Sequence, residues 1–344
     1  MQFRKYQGLG NDFILMDFRS IPLLFPLNET AKFLCQRRFG IGADGLILAL
    51  PPRNGGDVRM QIINADGTEA EMCGNGVRCF ARFLADLDNL PDFSSWRVET
   101  AAGLIVPQLI AGQQVAVDMG EPLLKPEAIP TTISEGLPLA EACLEVAGEQ
   151  FVVAAVGMGN PHAVVQVPKI EAIDLARFGP ALEAHPAFPA RTNVHFVEVV
   201  ADHYLRLLVW ERGAGATLAC GTGACAALVA THLRGSCARE ADVELPGGVL
   251  HINWDARNRL QMTGPAEFVF SGSLPPSFDS YSSSAESIDC SKLCSQGCIN
   301  PDACPSANAR AKAMAVLSDF SLDQLVNLAN ESVEQRTLRR ISGS

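Results

Sequence analysis

The chain has 344 residues, room for two ordinary domains, and a composition that is 48% hydrophobic and 19% charged, which excludes a disordered or fibrous protein. Twenty-seven Lys and Arg against 38 Asp and Glu leave a formal charge of −11, which speaks against a broad basic surface for nucleic acid or anionic lipid. No apolar run reaches the roughly 18 residues of a membrane span, and Arg4 and Lys5 lead into a Gly-rich turn without a signal-peptide core, so a cytoplasmic protein is expected.

In chain order, residues 28–40 predict a helix, 57–67 a strand, and 74–87 a helix with apolar residues at helical spacing. Residues 96–110, 113–120, 150–159, 192–200 and 203–210 are short Val/Ile/Leu-rich runs bounded by Gly, Pro and Asn, and predict strands. A further helix is expected over 221–235, closed by Gly235, and a further strand over 248–254. Composition changes near residue 271, where residues 271–287 form a Ser/Pro stretch of linker type. Beyond it, residues 288–344 predict a Cys-containing appendage, partly helical or disordered.

The body before residue 271 contains an internal repeat. Laying Cys73 on Cys220 also lays Arg59 on Arg206, Gly74 on Gly221 and Gly76 on Gly223. At an offset two residues larger, Gly8 to Asp12 falls on Gly157 to Pro161, pairing Asn11 with Asn160. Two copies of strand, loop, Cys-Gly-x-Gly and helix imply two like domains offering equivalent cysteines to one shared cleft.

Each of these cysteines precedes a Gly-x-Gly that opens a helix, so free backbone N–H groups and the positive end of the helix dipole lie beside the sulfur. That setting favours thiolate and also cradles a substrate carboxylate. One such loop would suit a nucleophilic cysteine; a facing pair suits inversion of a stereocentre, one sulfur removing a proton and the other delivering one to the opposite face. Cys35, Cys79, Cys143, Cys225 and Cys237 lack the glycine loop and the repeat partner and are expected to fill the core. Neither Cys73 nor Cys220 has a second Cys or His at ligand spacing within its loop, which disfavours a metal site in the body. His162 and His195 lie in or beside strand-like runs, where a structural imidazole competes with an acid/base role. Asn11, Asn64, Asn160 and Asn193 flank the strands as polar contacts for a zwitterion, and Glu211 and Arg212 stand where they could grip an ammonium and a carboxylate.

The segments KYQGLGNDF, RRFGIGADG, NADGTEAEMCGNGVRC, GNPH, RTNVHFVEV and ERGAGATLACGTGACA occur in the order and spacing of the diaminopimelate epimerase family, and the chain resembles that family over about residues 1–270. The resemblance implies an isomerase of α/β (α+β) class with two pseudo-symmetric domains, each a mostly antiparallel, barrel-like sheet wrapped around a central helix. The expected halves are residues 1–120, with a closing strand near 265–270, and 121–264. It implies epimerisation of L,L-diaminopimelate to the meso form for lysine and peptidoglycan synthesis, by two cysteines and without a cofactor, in a homodimer. The proton-transfer pair falls on Cys73 and Cys220, and the backbone carboxylate cradle on Gly74, Asn75, Gly221 and Thr222. The distal end of the substrate falls to Asn11, Asn64, Asn160, Asn193, Glu211 and Arg212.

Two positions depart from the family pattern: Gly45, where some members carry Gln, and Ala216, where many carry Glu. The appendage has no family counterpart. Its Cys290, Cys294, Cys298 and Cys304 are metal or redox candidates whose spacing matches no standard zinc or iron–sulfur pattern. Two other functions compete with the epimerase, a proline-type racemase of the same fold and a non-catalytic metal- or redox-sensing scaffold.

Overall fold

The computed structural model describes residues 1–23, 25–70, 73–134 and 138–274, all within one compact unit. The appendage, its four cysteines and the linker from residue 275 onward lie outside the described residues.

The elements in chain order are β1 (Gln2–Gly8), β2 (Asn11–Asp17), α1 (Leu27–Leu34), β3 (Gly45–Leu50), β4 (Val58–Asn64), β5 (Glu69–Ala70), α2 (Gly74–Asp88), β6 (Val98–Thr100), β7 (Gly103–Ile105), β8 (Gln108–Ile110) and β9 (Gln114–Gly120). They continue with β10 (Ala140–Val146), β11 (Glu149–Gly157), β12 (Pro161–Gln166), α3 (Leu175–Glu183), β13 (Asn193–Ala201), β14 (Tyr204–Glu211), β15 (Gly215–Ala216), α4 (Gly221–Leu233), β16 (Glu240–Leu245), β17 (Gly248–Trp254), β18 (Leu260–Pro265) and β19 (Glu267–Ser273).

The strands form two sheets. One runs β19-β1-β2-β3-β4-β6-β7, the other β10-β11-β12-β13-β14-β16-β17-β18-β9-β8, with β5 beside β4 and β15 beside β14. Up to β7 and β17 the two orders match strand for strand, including which neighbours are parallel: β2 with β3 and β4 with β6 in one, β12 with β13 and β14 with β16 in the other. The halves meet through β9 and β18. In that ladder Ala116 faces Thr263, Val117 faces Met262 and Val115 faces Gly264. The alignment that lays Cys73 on Cys220 also lays Ala116 on Thr263, so a local two-fold axis passes through that pair and exchanges the flanking ones. The hairpin of β8 and β9 thus hydrogen-bonds to the second half while packing on α2 of the first, so the two halves interlock just before residue 120.

A sheet wrapped around a helix buries the helix on every side, and the sequence of α4 is apolar all round to match. From Gly223 to Thr231 every residue of α4 is buried. Helix α2 buries every residue from Asn75 to Ala85 except Arg82, and ends on Asn89 in the left-handed conformation.

Several expectations need correction. The helix expected over 28–40 stops at Leu34, with Cys35 as its cap. The run 96–110 is three short strands, because residues 101 and 102 turn the chain and Pro107 offers no N–H to a ladder. Strands β1, β2, β3, β10, β12, β16 and β18 and helix α3 were not resolved by periodicity. The last strand reaches Ser273, and Leu274 donates its N–H to Met1 O at 2.8 Å, so the folded body continues past residue 271. Cys143 is exposed on β10 rather than part of the core, whereas Cys35, Cys79, Cys225 and Cys237 are buried.

Candidate active site

Helices α2 and α4 start at the same cavity. Cys73 and Cys220 are their N-caps, both in extended backbone conformation. The N–H of Gly223 points at Cys220 Sγ, 3.4 Å away, and Thr222 Oγ1 lies 3.5 Å from the same sulfur. Gly74 and Gly221 open the helices, and their N–H groups have no intrahelical acceptor. Met262 of β18 fills the space behind both. A Cβ on Gly74 would stand 3.1 Å from Met262 Cε and one on Gly221 2.6 Å from Met262 Sδ, so glycine at both places lets the two helix ends close on one methionine.

The cavity holds about 750 Å³, the scale of a small-molecule site. Cys73, Gly74, Asn75, Cys220, Gly221, Thr222, Asn11, Asn64, Asn160 and Glu211 all line it, joined by Ala216. Asn193 and Arg212 do not. Asn193 is buried, giving its amide N–H to Pro161 O and accepting the Arg212 backbone N–H, both at 3.0 Å. The Arg212 guanidinium donates to Ala190 O at 3.2 Å. Together they brace the loop that carries Glu211. Gly45 is also absent from the lining, and a Cβ there would meet Ile63 O at 3.0 Å.

Residues that the motif reading left unassigned complete the wall. Arg37 and Asp44, from RRFGIGADG, line the cavity beside Asn11. Glu183 of α3 accepts from Trp210 Nε1 at 2.8 Å and from the Gly213 N–H at 3.0 Å, which fixes the turn after Glu211. No local sequence signal marks Glu183, because its partners are distant in the chain.

Burial pushes both thiols above their ordinary range. The Glu211 carboxylate pushes both further up and first-turn N–H groups pull both back, while the buried Arg78 guanidinium lowers Cys73 as well. Burial also raises Glu211, against the hydrogen bond it accepts from Thr217 Oγ1 at 2.6 Å. His162 and His195 are fully buried and held neutral, His195 down to about 3. Neither lines the cavity, so they sit behind the site rather than in it.

Two like halves that meet at one cavity define the class by fold, and that fold recurs in solved structures. A probable proline racemase from Agrobacterium radiobacter superposes with a TM-score of 0.54 at 17% identity, over 81% of this chain and 95% of that one. A phenazine biosynthesis protein of the PhzF family from Bacillus anthracis does so at 0.58 and 16% identity, over 80% and 99%. The sequence narrows this further. The family model for diaminopimelate epimerase matches residues 3–125 and 154–269. A diaminopimelate epimerase of Prochlorococcus marinus is 55% identical over 284 residues, 80% of this chain and 93% of that one, and one of Synechocystis is 53% identical over 276 residues, 79% and 98%. The chain belongs to the diaminopimelate epimerase family.

Proposed function

We propose that the chain epimerises L,L-diaminopimelate to the meso form with Cys73 and Cys220 as the two acid/base groups. What supports this most directly is the convergence of two cysteine-capped helix N-termini on one polar cavity. The substrate's reacting carboxylate sits on the backbone N–H groups of Gly74, Asn75, Gly221 and Thr222, where both helix dipoles favour negative charge. The α-carbon then lies between the sulfurs. One thiolate removes the proton and the other thiol delivers one to the opposite face; in the reverse direction the roles exchange. The negative charge that develops is spread into a carboxylate already held by two helix ends, so no cofactor is required.

Asn64, Asn160 and Glu211 receive the far amino acid end. A ligand lacking that end leaves those polar groups unpaired, which costs more than lost apolar contact, and this separates the reading from a proline-type racemase. Chemistry carried by two free thiols calls for a reducing compartment, hence the cytoplasm. A homodimer is part of the same reading, and the exposed Phe268, Val269 and Phe270 on the outer strand β19 are the surface to examine for a second copy by sedimentation.

The test is α-proton exchange in deuterated water. L,L-diaminopimelate should gain deuterium as it converts to the meso form, and L-proline should not exchange. Exchange of proline alone, or of neither, defeats the reading.

A further inference from the structure

Asn11, at the start of β2, and Asn160, just before β12, occupy equivalent places in the two halves and both line the cavity. Their amides are tied down by unlike partners. Asn11 donates its Nδ2–H to Asp44 Oδ2 at 2.6 Å, and Asp44 is held in turn by Arg37 at 2.7 Å. The Asn11 carbonyl is left facing Cys73 Sγ at 3.7 Å and the Asn75 amide nitrogen at 3.3 Å.

Asn160 Oδ1 instead lies 2.7 Å from His162 Nε2, and His162 Nδ1 lies 2.8 Å from His195 Nε2. Both rings are neutral, so each carries one proton. Were the proton between the rings on His162, His195 would carry its own on Nδ1, a buried nitrogen without a partner. Placing it on His195 Nε2 leaves only a lone pair unmatched there, whereas the alternative strands an N–H. His162 therefore carries its proton on Nε2 and donates it to the Asn160 carbonyl. The Asn160 NH2 is then turned toward the cavity.

We propose that Asp44 and the His162–His195 pair are positioning residues that fix these equivalent asparagines in opposite amide orientations, a carbonyl acceptor at Asn11 and an NH2 donor at Asn160. The proposal rests on the epimerase reading only for the identity of the substrate. A symmetric backbone would offer the same dipole on both sides of the substrate, whereas its carboxylate and ammonium ends are opposite in sign. Reversing one amide resolves that mismatch without adding a charge. At Asn160 an NH2 attracts a carboxylate, and a flipped amide would repel it. At Asn11 the carbonyl accepts from the Cys73 thiol or an ammonium. The pair also packs against the Cys220 loop: a Cβ on Gly223 would overlap the His195 ring, so the imidazole that sets the His162 tautomer also supports the N–H that points at Cys220.

The first readout is independent of turnover. Nitrogen-15 shifts of the labelled full chain should show both His162 and His195 protonated on Nε2, unchanged between about pH 8 and about pH 5. The second is kinetic. His162→Phe combined with His195→Ile copies Phe13 and Ile47, which stand at the matching places in the first half. It should raise KM for L,L-diaminopimelate roughly 10- to 100-fold, the effect of losing a hydrogen bond to a charged group, while kcat moves less than about threefold. His162→Gln, whose amide N–H reaches the same carbonyl, should restore most of the KM. A proton on His162 Nδ1, a folded double variant with unchanged KM, or a Gln variant as impaired as the double variant overturns the proposal. Should the double variant fail to fold, the wild-type tautomer and the Gln variant decide. A wild-type chain inactive on L,L-diaminopimelate sinks the functional reading and leaves the tautomer result standing.

Discussion

The Cys73 and Cys220 loops share a backbone and differ in what stands behind it. Behind Cys73 are Ile47, Phe13 and the buried cation Arg78; at the matching places behind Cys220 are His195, His162 and the neutral Cys225. Asn64 in the first half is matched by Glu211 in the second. Duplication of the fold supplies two opposed cysteine loops, and substitution at a few positions supplies unlike electrostatics. On the epimerase reading, a reaction symmetric at its α-carbon still acts on a substrate whose other groups are not symmetric, and the residues behind and beside the two loops carry that difference.

The comparison is tested most severely at the cysteines. Cys73→Ala and Cys220→Ala should each lower kcat by at least roughly 10²- to 10⁴-fold in both directions, the usual worth of a positioned acid or base. Near-normal turnover by either variant, measured by circular dichroism of the product mixture, would remove the two-base assignment.

A smaller contrast concerns the second glycine of each motif. A Cβ on Gly223 overlaps the His195 ring, whereas one on Gly76 comes to 3.2 Å from the movable end of Ile47. Gly223→Ala should therefore cost about 1–3 kcal/mol of stability by overpacking, and Gly76→Ala markedly less. Equal losses in urea unfolding would mean that the two loops are not packed as differently as their partners suggest.

Electrostatics separates the halves more gently. Removing the Arg78 cation by Arg78→Met should raise the thiol pKa of Cys73, shifting the pH profile of its alkylation upward while leaving that of Cys220 nearly in place. The buried histidines predict a pH slope in stability confined to the second half. Their folded pKa values are depressed, so between the unfolded value of about 6.5 and the folded value of about 3 for His195 the unfolded state binds more protons. Stability should fall as pH drops through that window, and the slope should shrink in the His162→Phe, His195→Ile variant. An unchanged slope would place the acid sensitivity elsewhere.

The smallest expected effect is from truncation after Leu274. Among the described residues, those that line the cavity all lie before it, and KM and kcat should stay within about twofold. Cutting instead within β19 should destabilise the fold, since β19 is the strand that, among the described residues, pairs with the outer edge of β1.

Local sequence was enough for the central features. The repeated Cys-Gly-x-Gly marked both helix starts, because a thiol beside free N–H groups followed by residues without side chains is a pattern that short-range chemistry explains. The apolar periodicity of α2 and the all-round apolarity of α4 likewise follow from residues within one element. Strands such as β2 and β3 lack the alternation that identifies a strand because they are buried on both faces, as the fully buried Gly45–Leu50 illustrates.

What the tertiary structure alone decided is how unlike groups meet. The hydrogen bonds of Arg212 and Asn193 run to Ala190 and Pro161, contacts that no spacing along the chain encodes. The pairing of Asn11 with Asp44 and of His162 with His195 depends on parallel strand register, β2 against β3 and β12 against β13. Register is fixed by which whole faces are buried, a property of the assembled sheet, and so the direction in which an amide points into the site becomes legible only once the sheet is closed.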